Sequence, residues 1–349
     1  MERLKTEENQ DLDFSSEKLI LFPERVAALR QADLSLFPVS VELSLTTHCN
    51  LKCAWCVDLK WREDRPGILD KSLILKVMKE LKSGGTRGIT IEGGGEPTIH
   101  PDFREIVEGI LDSGLAVGLI TNGIAFKDFD LVERMSWIRF SIDAGTKYEF
   151  SKLKGGREED FDKVLENIKR ASAAGKGKCR IGAGFIITPH NLFNLIGLTQ
   201  SIRGFGARYI QFRRPTEADN LDLGGDFDLS ELKSLETPSF EVYIHQMKEY
   251  SPGNFGLPCV AHSLTTVIGA DGGCFVCCRL RSPVNKFMGC YGNLKDAPFG
   301  ELWRGEARQE MSKKLLDGNF CKAYCPECRL TKYNLLIERL NKTKTVDFL

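Results

Sequence analysis

Val39-Ser-Val-Glu-Leu-Ser-Leu-Thr-Thr-His-Cys49-Asn-Leu-Lys-Cys53-Ala-Trp-Cys56 is the stretch that decides the reading of this chain. Residues 39–45 alternate apolar and polar, as a strand does. Three cysteines then follow on one loop, spaced Cys-x3-Cys-x2-Cys. Three thiolates so placed can hold three irons of a cubane iron–sulfur cluster. A structural zinc site wants a fourth ligand nearby. His48 is the nearest, but it directly precedes Cys49 and its geometry as a ligand is poor. The fourth iron of the cubane is then open to an external ligand.

Outward from this loop the chain alternates strands and helices. Asp70 can cap a helix whose Leu73, Val77, Met78 and Leu81 form an apolar face, and Gly84-Gly85 stops it. Residues 89–91, 115–121, 138–142, 181–187 and 209–212 read as strands two to six. Helices are expected over 101–113, 131–137, 161–174 and 191–205. Six βα units argue for a parallel sheet, curved or closed. Eight would make a full barrel, so six suggest a partial one. The expected fold class is α/β: a partial (β/α)6 TIM-like barrel over residues 40–215, followed by a small Cys-rich iron–sulfur domain. In such a fold the functional groups lie at the carboxyl ends of the strands.

The flanks read differently. Residues 1–39 form an acidic extension with a short helix over 19–30. Residues 216–258 read as a connection, with a helix near 240–250. Residues 259–330 are rich in Cys and Gly, with too little apolar content for an ordinary core, and bound metal can supply the missing stabilisation. Residues 331–349 read as a short basic helix.

Composition bounds the function. The 349 residues are 42% hydrophobic and 28% charged, which excludes wholesale disorder. Forty-eight basic residues balance 48 acidic ones, which gives no support for a nucleic-acid or membrane-surface partner. No apolar run approaches the roughly 18 residues of a membrane span. The first residues carry no apolar signal region, so a cytoplasmic protein is expected. Twelve cysteines in a reducing compartment point to metal binding or redox chemistry. Three form the loop above, eight lie between Cys259 and Cys328, and Cys179 stands apart as a structural residue.

The spacing of Cys49, Cys53 and Cys56 after a first strand resembles the radical S-adenosylmethionine superfamily. In that family the open iron chelates S-adenosylmethionine, and electron transfer from the cluster yields a 5′-deoxyadenosyl radical. Trp55, an aromatic residue just before the third Cys, is typical and lies against the cofactor. Glu92-Gly-Gly-Gly95-Glu96-Pro97 looks like the family's Gly-Gly-Glu-Pro segment, with Gly94, Gly95 and Glu96 in register. Glycines permit close backbone approach, and a carboxylate can accept from an ammonium. By resemblance, Ser141 and Asp143 are candidate contacts to the cofactor's carboxylate or ribose, and Asn122 lines the same rim.

The second cysteine region resembles the SPASM/twitch extension of the same superfamily, which binds one or two auxiliary [4Fe–4S] clusters. Cys259, twelve residues, Gly272, four residues and Cys277 fit its first half. No cysteine follows Cys328 in this sequence, which fits the shorter, one-cluster form. The resemblance implies Cys259, Cys277, Cys325 and Cys328 as ligands, with Cys321 competing with Cys325. Two clusters remain arithmetically open. Cys278 and Cys290 are spare thiols that could return a hydrogen atom to a substrate radical. Arg213-Arg214, after the sixth strand, could hold a substrate anion.

The resemblance implies hydrogen abstraction from a substrate C–H bond, completed by dehydrogenation or epimerisation, with a flavodoxin- or ferredoxin-type reductant. A small sugar- or aminocyclitol-like substrate is the first expectation, because the extension is short for peptide recognition. Modification of a ribosomal peptide or protein is the alternative. A non-catalytic electron carrier is the second, and the Gly-Gly-Glu-Pro segment argues against it.

Overall fold

The computed structural model describes residues 15–215, 227–245, 256–282, 285–325 and 328–343. One ten-stranded sheet runs through them, in the order β10-β9-β8-β1-β2-β3-β4-β5-β6-β7. The six expected strands are present: β1 (Ser40–Leu43), β2 (Gly88–Ile91), β3 (Ala116–Thr121), β4 (Trp137–Ser141), β5 (Arg180–Ile186) and β6 (Tyr209–Arg213). Two more parallel strands join them. β7 (Glu241–His245) pairs with β6, and β8 (Thr265–Ile268) pairs with β1. An antiparallel turn of sheet, β9 (Gly273–Phe275) and β10 (Cys290–Asn293), continues from β8. The parallel curve therefore holds eight strands among the described residues, and the Cys-rich region enters the same sheet.

The helices before β8 are α1 (Pro23–Arg30), α2 (Leu59–Asp64), α3 (Lys71–Ser83), α4 (Phe103–Asp112), α5 (Lys147–Lys154), α6 (Glu158–Ala174), α7 (Leu195–Gly204) and α8 (Ser230–Lys233). After it come α9 (Cys278–Arg281), α10 (Phe299–Arg304), α11 (Glu306–Leu316), α12 (Gly318–Tyr324) and α13 (Thr331–Lys342). Their boundaries follow local chemistry. Asp70 accepts from the Ser72 and Leu73 amides and starts α3, which buries Ile74, Val77, Met78 and Leu81. Pro23 opens α1, so the expected helix over 19–30 divides there into a short 3-10 turn and α1.

Two expectations are corrected. Residues 240–245 are not a helix. Phe240 and Val242 are buried and Glu241 and Tyr243 less so, and this two-residue period makes a strand, β7. Residues 246–250 lie outside the described residues. Residues 131–137 hold the end of a 3-10 turn (Phe129–Arg134), and β4 already begins at Trp137.

The two faces of the sheet differ in chemistry. Outward, Val41, Leu43, Ile89, Ile91, Val117, Leu119, Ile138, Phe140, Ile181, Phe185, Ile210 and Phe212 pack under the helices. Inward, in register across the strands, stand Thr90, Gly118, Trp137, Arg139, Gly182, Gly184, Gln211 and Tyr243. Barrel interiors are usually filled by branched apolar side chains. Here polar side chains alternate with glycines that make room for their neighbours. A Cβ on Gly182 would lie 2.3 Å from the Tyr209 ring, and one on Gly118 would lie 2.1 Å from Trp137.

The first cysteine loop and the Cys-rich region are locked together. Trp61 of α2 is fully buried, edge-on to Phe275 and Phe287 at 5.4 and 5.2 Å between ring centres. Arg65 Nη2 pairs with Asp271 Oδ2 at 2.6 Å.

Candidate active site

Cys49, Cys53 and Cys56 occupy the loop at the carboxyl end of β1, each thiol within electrostatic reach of the other two. The last turn of α5 shapes this loop. The Lys154 and Leu153 carbonyls, left without helical donors, accept from the Lys52 and Ala54 amides at 3.0 and 2.9 Å. Arg62 holds the other end: its Nη2 donates to Cys56 Sγ at 3.2 Å, and its Nε to the Gly94 carbonyl at 2.8 Å. Burial pushes the Cys53 thiol up to about 12 and raises Cys56 as well. Without metal these thiols hold their protons, so iron must displace protons to bind. Three thiols on a shaped loop, with one side open, fit a cubane bound by three ligands.

The glycine segment lies against this loop. Gly93 and Gly94 have φ of 70° and 65°, where side chains are strained. The Gly95 amide donates to the Thr46 carbonyl at 2.7 Å. A Cβ on Gly95 would lie 1.8 Å from the His48 carbonyl oxygen, backbone against backbone. Gly95→Ala should therefore cost about 1–3 kcal/mol or more and displace residue 48 next to Cys49. Urea unfolding and iron content per chain will read both effects; unchanged stability with full iron would contradict the close approach.

Two sequence candidates already hold partners within the protein. Glu96 was expected to accept from a cofactor ammonium. Its Oε1 already accepts from the Thr98 amide (3.1 Å) and from the Thr98 and Thr121 hydroxyls (both 2.6 Å), and its Oε2 accepts from the Asn122 amide (2.7 Å). Oε1 is filled by its three donors, whereas Oε2 has one and keeps room to accept another. Glu96 thus ties the end of β2 to the end of β3 and keeps acceptor capacity at Oε2. Asp143 is likewise enclosed. Its Oδ1 accepts from the Ile186 amide and its Oδ2 pairs with Lys154 Nζ, both at 2.8 Å. With its side chain 5% exposed, it braces the loop after β4. Asn122 touches the cysteine loop itself, donating from Nδ2 to Asn50 Oδ1 at 2.7 Å. Ser141 ends β4 in the inward register, and its carbonyl accepts from Lys154 Nζ. Trp55 is buried beside the loop.

Lys154 was not singled out from sequence. It is a fully buried ammonium between Asp143 and Cys53. Burial works against its charge, but Asp143 and Cys53 outweigh it and raise the ammonium above its ordinary value. One lysine at the end of a surface-patterned helix carries no signal for this. Asp58 and Arg281 were also missed. Asp58 Oδ2 accepts from the Gly94 amide at 3.2 Å, and its Oδ1 pairs with Arg281 Nη2 at 2.5 Å. Arg281 comes from the Cys-rich region, so both halves of the chain build the rim.

The second set of cysteines divides in two. Cys259, Cys277 and Cys328 face one another, and Cys321 is hydrogen-bonded to Cys259. That bond, and then burial, raises the Cys259 thiol; burial raises Cys277 and lifts Cys328 to about 11. Cys325 is buried one turn on from Cys321. Cys278 lies beside Cys277 and faces Glu92 at the end of β2. Cys290 instead neighbours Cys274 across β9 and β10. Among the described residues no three donors converge closely enough for a single metal ion. Of the arginine pair, Arg213 faces Glu92, whereas Arg214 lies over the Phe227 ring at 5.5 Å. The pair is split, as consecutive strand residues are.

A parallel curve with a three-cysteine loop at its carboxyl rim, and a cysteine-rich extension closing on it, defines a radical enzyme of the S-adenosylmethionine class. Residues 43–193 match the Radical SAM superfamily and residues 259–329 match the SPASM iron-sulfur cluster-binding domain, and the chain belongs to that superfamily. Its radical SAM domain binds a [4Fe–4S] cluster and S-adenosylmethionine, and its SPASM domain binds auxiliary iron–sulfur clusters. Membership makes it an enzyme. Among curated relatives, the tungsten-containing aldehyde ferredoxin oxidoreductase cofactor-modifying protein of Pyrococcus furiosus is 22% identical over 324 residues, 82% of this chain and 86% of that one. A probable GTP 3′,8-cyclase of Saccharolobus islandicus is 27% identical over 299 residues, 80% and 92% of the two chains. Among solved structures, Streptococcus suis SuiB bound to its precursor peptide SuiA matches 92% of this chain and 78% of its own, with TM-score 0.63 and 18% identity. The anSMEcpe structure with AdoMet and the Kp18Cys peptide matches 84% and 90%, with TM-score 0.59 and 16% identity. No described helix is long and apolar enough to cross a membrane.

Proposed function

We propose that this chain is a radical S-adenosylmethionine maturase that modifies a peptide or protein. The reading is carried by likeness over both domains at once: SuiB, solved with its precursor peptide, matches nearly the whole chain. The sheet is compatible with it, because β7 is the last strand of the sheet among the described residues and an extended peptide can add to a sheet edge. Bound together, the cluster and S-adenosylmethionine supply a 5′-deoxyadenosyl radical that abstracts hydrogen from a C–H bond. Cys49, Cys53 and Cys56 hold that cluster, Arg62 and the end of α5 hold their loop, and Gly93 to Gly95 let the rim approach it. Cys259, Cys277 and Cys328, with Cys321 or Cys325, would hold an auxiliary cluster, which would supply an acceptor for one electron from a substrate radical. A flavodoxin- or ferredoxin-type protein in the cytoplasm supplies the reducing electron.

A small-molecule oxidoreductase or epimerase is the second reading. It is favoured by Cys278, which faces Glu92 at the carboxyl rim and is the better placed of the two spare thiols to return hydrogen. One anaerobic experiment separates the two. The reconstituted protein is given S-adenosylmethionine, dithionite and peptides encoded beside its own gene, then the small-molecule pool of its cell, and products are weighed. A peptide that loses two hydrogens or gains a crosslink, with matching 5′-deoxyadenosine, supports the maturase. Turnover with the small-molecule pool alone would sink it.

A further inference from the structure

A run of contacts leads without a break from a cysteine of the second set to one of the first. Cys277 immediately precedes α9, and the Arg281 amide closes that turn onto the Cys277 carbonyl at 3.1 Å. Arg281 Nη2 pairs with Asp58 Oδ1 at 2.5 Å, the two side chains being 10% and 16% exposed. The guanidinium lies over the Trp61 ring at 5.0 Å and beside Gly93, where a Cβ would lie 3.6 Å from Nη2. Asp58 Oδ2 accepts from the Gly94 amide at 3.2 Å. The Gly94 carbonyl accepts from Arg62 Nε at 2.8 Å, and Arg62 Nη2 donates to Cys56 Sγ at 3.2 Å. Gly94, at a φ of 65°, is therefore held at both its amide and its carbonyl by side chains. Arg62 belongs to the first cysteine loop's own helix. Asp58 instead takes its cation from the other half of the chain. Without Arg281 its carboxylate would keep one neutral donor in a mostly buried place, and turning to water would release Gly94. The origin of Arg281 is itself conditional. Four residues of helix do not stand alone, so α9 takes its place from Cys277 at its start and from Leu280, which is fully buried.

We propose that Arg281 and Asp58 are positioning residues that make S-adenosylmethionine binding at the first cysteine loop depend on cluster occupancy at the second. A cluster ligated through Cys277 anchors the start of α9. Arg281 then holds Asp58, and Asp58 holds the Gly94 peptide in the glycine segment that the family resemblance assigns to the cofactor. Iron ligation stays separate at the two sites, and only the hold on Gly94 is shared. A chain that lacks its auxiliary cluster binds the cofactor weakly and forms few radicals. This dependence holds whatever the substrate is.

The test titrates S-adenosylmethionine, without dithionite, into cluster-loaded protein by calorimetry. It compares wild type, Arg281→Gln, C277A/C328A and all three changes combined. Arg281→Gln should bind about tenfold more weakly or worse, while keeping the iron of both sites. C277A/C328A, which keeps the first cluster, should be weakened to a similar degree. The combined protein should be no weaker than the worse of these, because both act by one route. Arg281→Lys keeps the charge without the fork and should fall between Arg281→Gln and wild type. In the reduced protein, the paramagnetic resonance signal of the three-cysteine cluster should change with S-adenosylmethionine in Arg281→Gln as in wild type, at about tenfold higher concentration. Wild-type affinity in Arg281→Gln or in C277A/C328A would overturn the coupling, as would losses that multiply in the combined protein. A different signal at saturation would place Arg281 on the cofactor itself and overturn the positioning role. If Arg281→Gln fails to load both clusters, Asp58→Asn decides, since it keeps an oxygen for Gly94 and loses the charge that Arg281 meets. Weakened binding there supports the proposal, and wild-type affinity overturns it.

Discussion

The triple variant C49A/C53A/C56A is expected to lose about one cubane of iron, about four atoms per chain, and to keep the rest. With S-adenosylmethionine and dithionite it should form no 5′-deoxyadenosine, whereas the wild-type protein does. The reason is the separation of the two thiol sets. Cys49, Cys53 and Cys56 interact with one another, while Cys259, Cys277 and Cys328 form their own group and draw shape from α11, α12 and α13. Removing the first group takes no ligand from the second. Iron analysis and mass spectrometry check this directly. Loss of all iron would contradict two independent sites, and 5′-deoxyadenosine from the variant would remove the loop from the chemistry.

Lys154→Met should destabilise the fold by about 3–5 kcal/mol, the usual cost of leaving one partner of a buried ion pair alone. Both side chains of the Lys154–Asp143 pair are almost wholly buried. The variant leaves the Asp143 carboxylate with one amide donor, and the Ser141 carbonyl loses the ammonium. Asp143→Asn in the same chain should recover part of the loss, because no charge is then stranded. Unfolding in urea at neutral pH measures both. The sign with pH follows from the raised ammonium. The pair's contribution is intact below the ordinary lysine value of 10.5 and is lost as pH rises through the higher folded value. A Lys154→Met protein as stable as wild type would show that the pair is incidental to the loop.

Such residues mark the limit of what could be read in advance. The three-cysteine loop, the glycine segment and the strand ends at Asn122 and Ser141 were legible because each is a local pattern. Strand period, spacing along one loop, and glycine where backbones cross are written in adjacent residues. β7 was legible too, in the alternation of Phe240, Val242 and Ile244, but the proline-bounded stretch around it favoured a helix. Glu96 was legible as a carboxylate at the right place, but its partners within the protein were not. Its donors Thr121 and Asn122 arrive from another strand, and nothing local says that they reach it.

The sequence by itself determined the class of chemistry, because cluster ligation needs only a few cysteines at fixed separations on one loop. It determined most of the parallel strands as well, since each outward face is apolar at every second residue. The tertiary structure alone decided which charges meet. Lys154 joins Asp143 across eleven residues, Arg281 joins Asp58 across 223, and Arg139 reaches Gln211 across 72. An ion pair depends on distance in space and on the exclusion of water, and neither is a property of neighbouring residues. The enzyme class is therefore local in the chain. The shape and charge of the chamber, and with them the choice of substrate, belong to the fold.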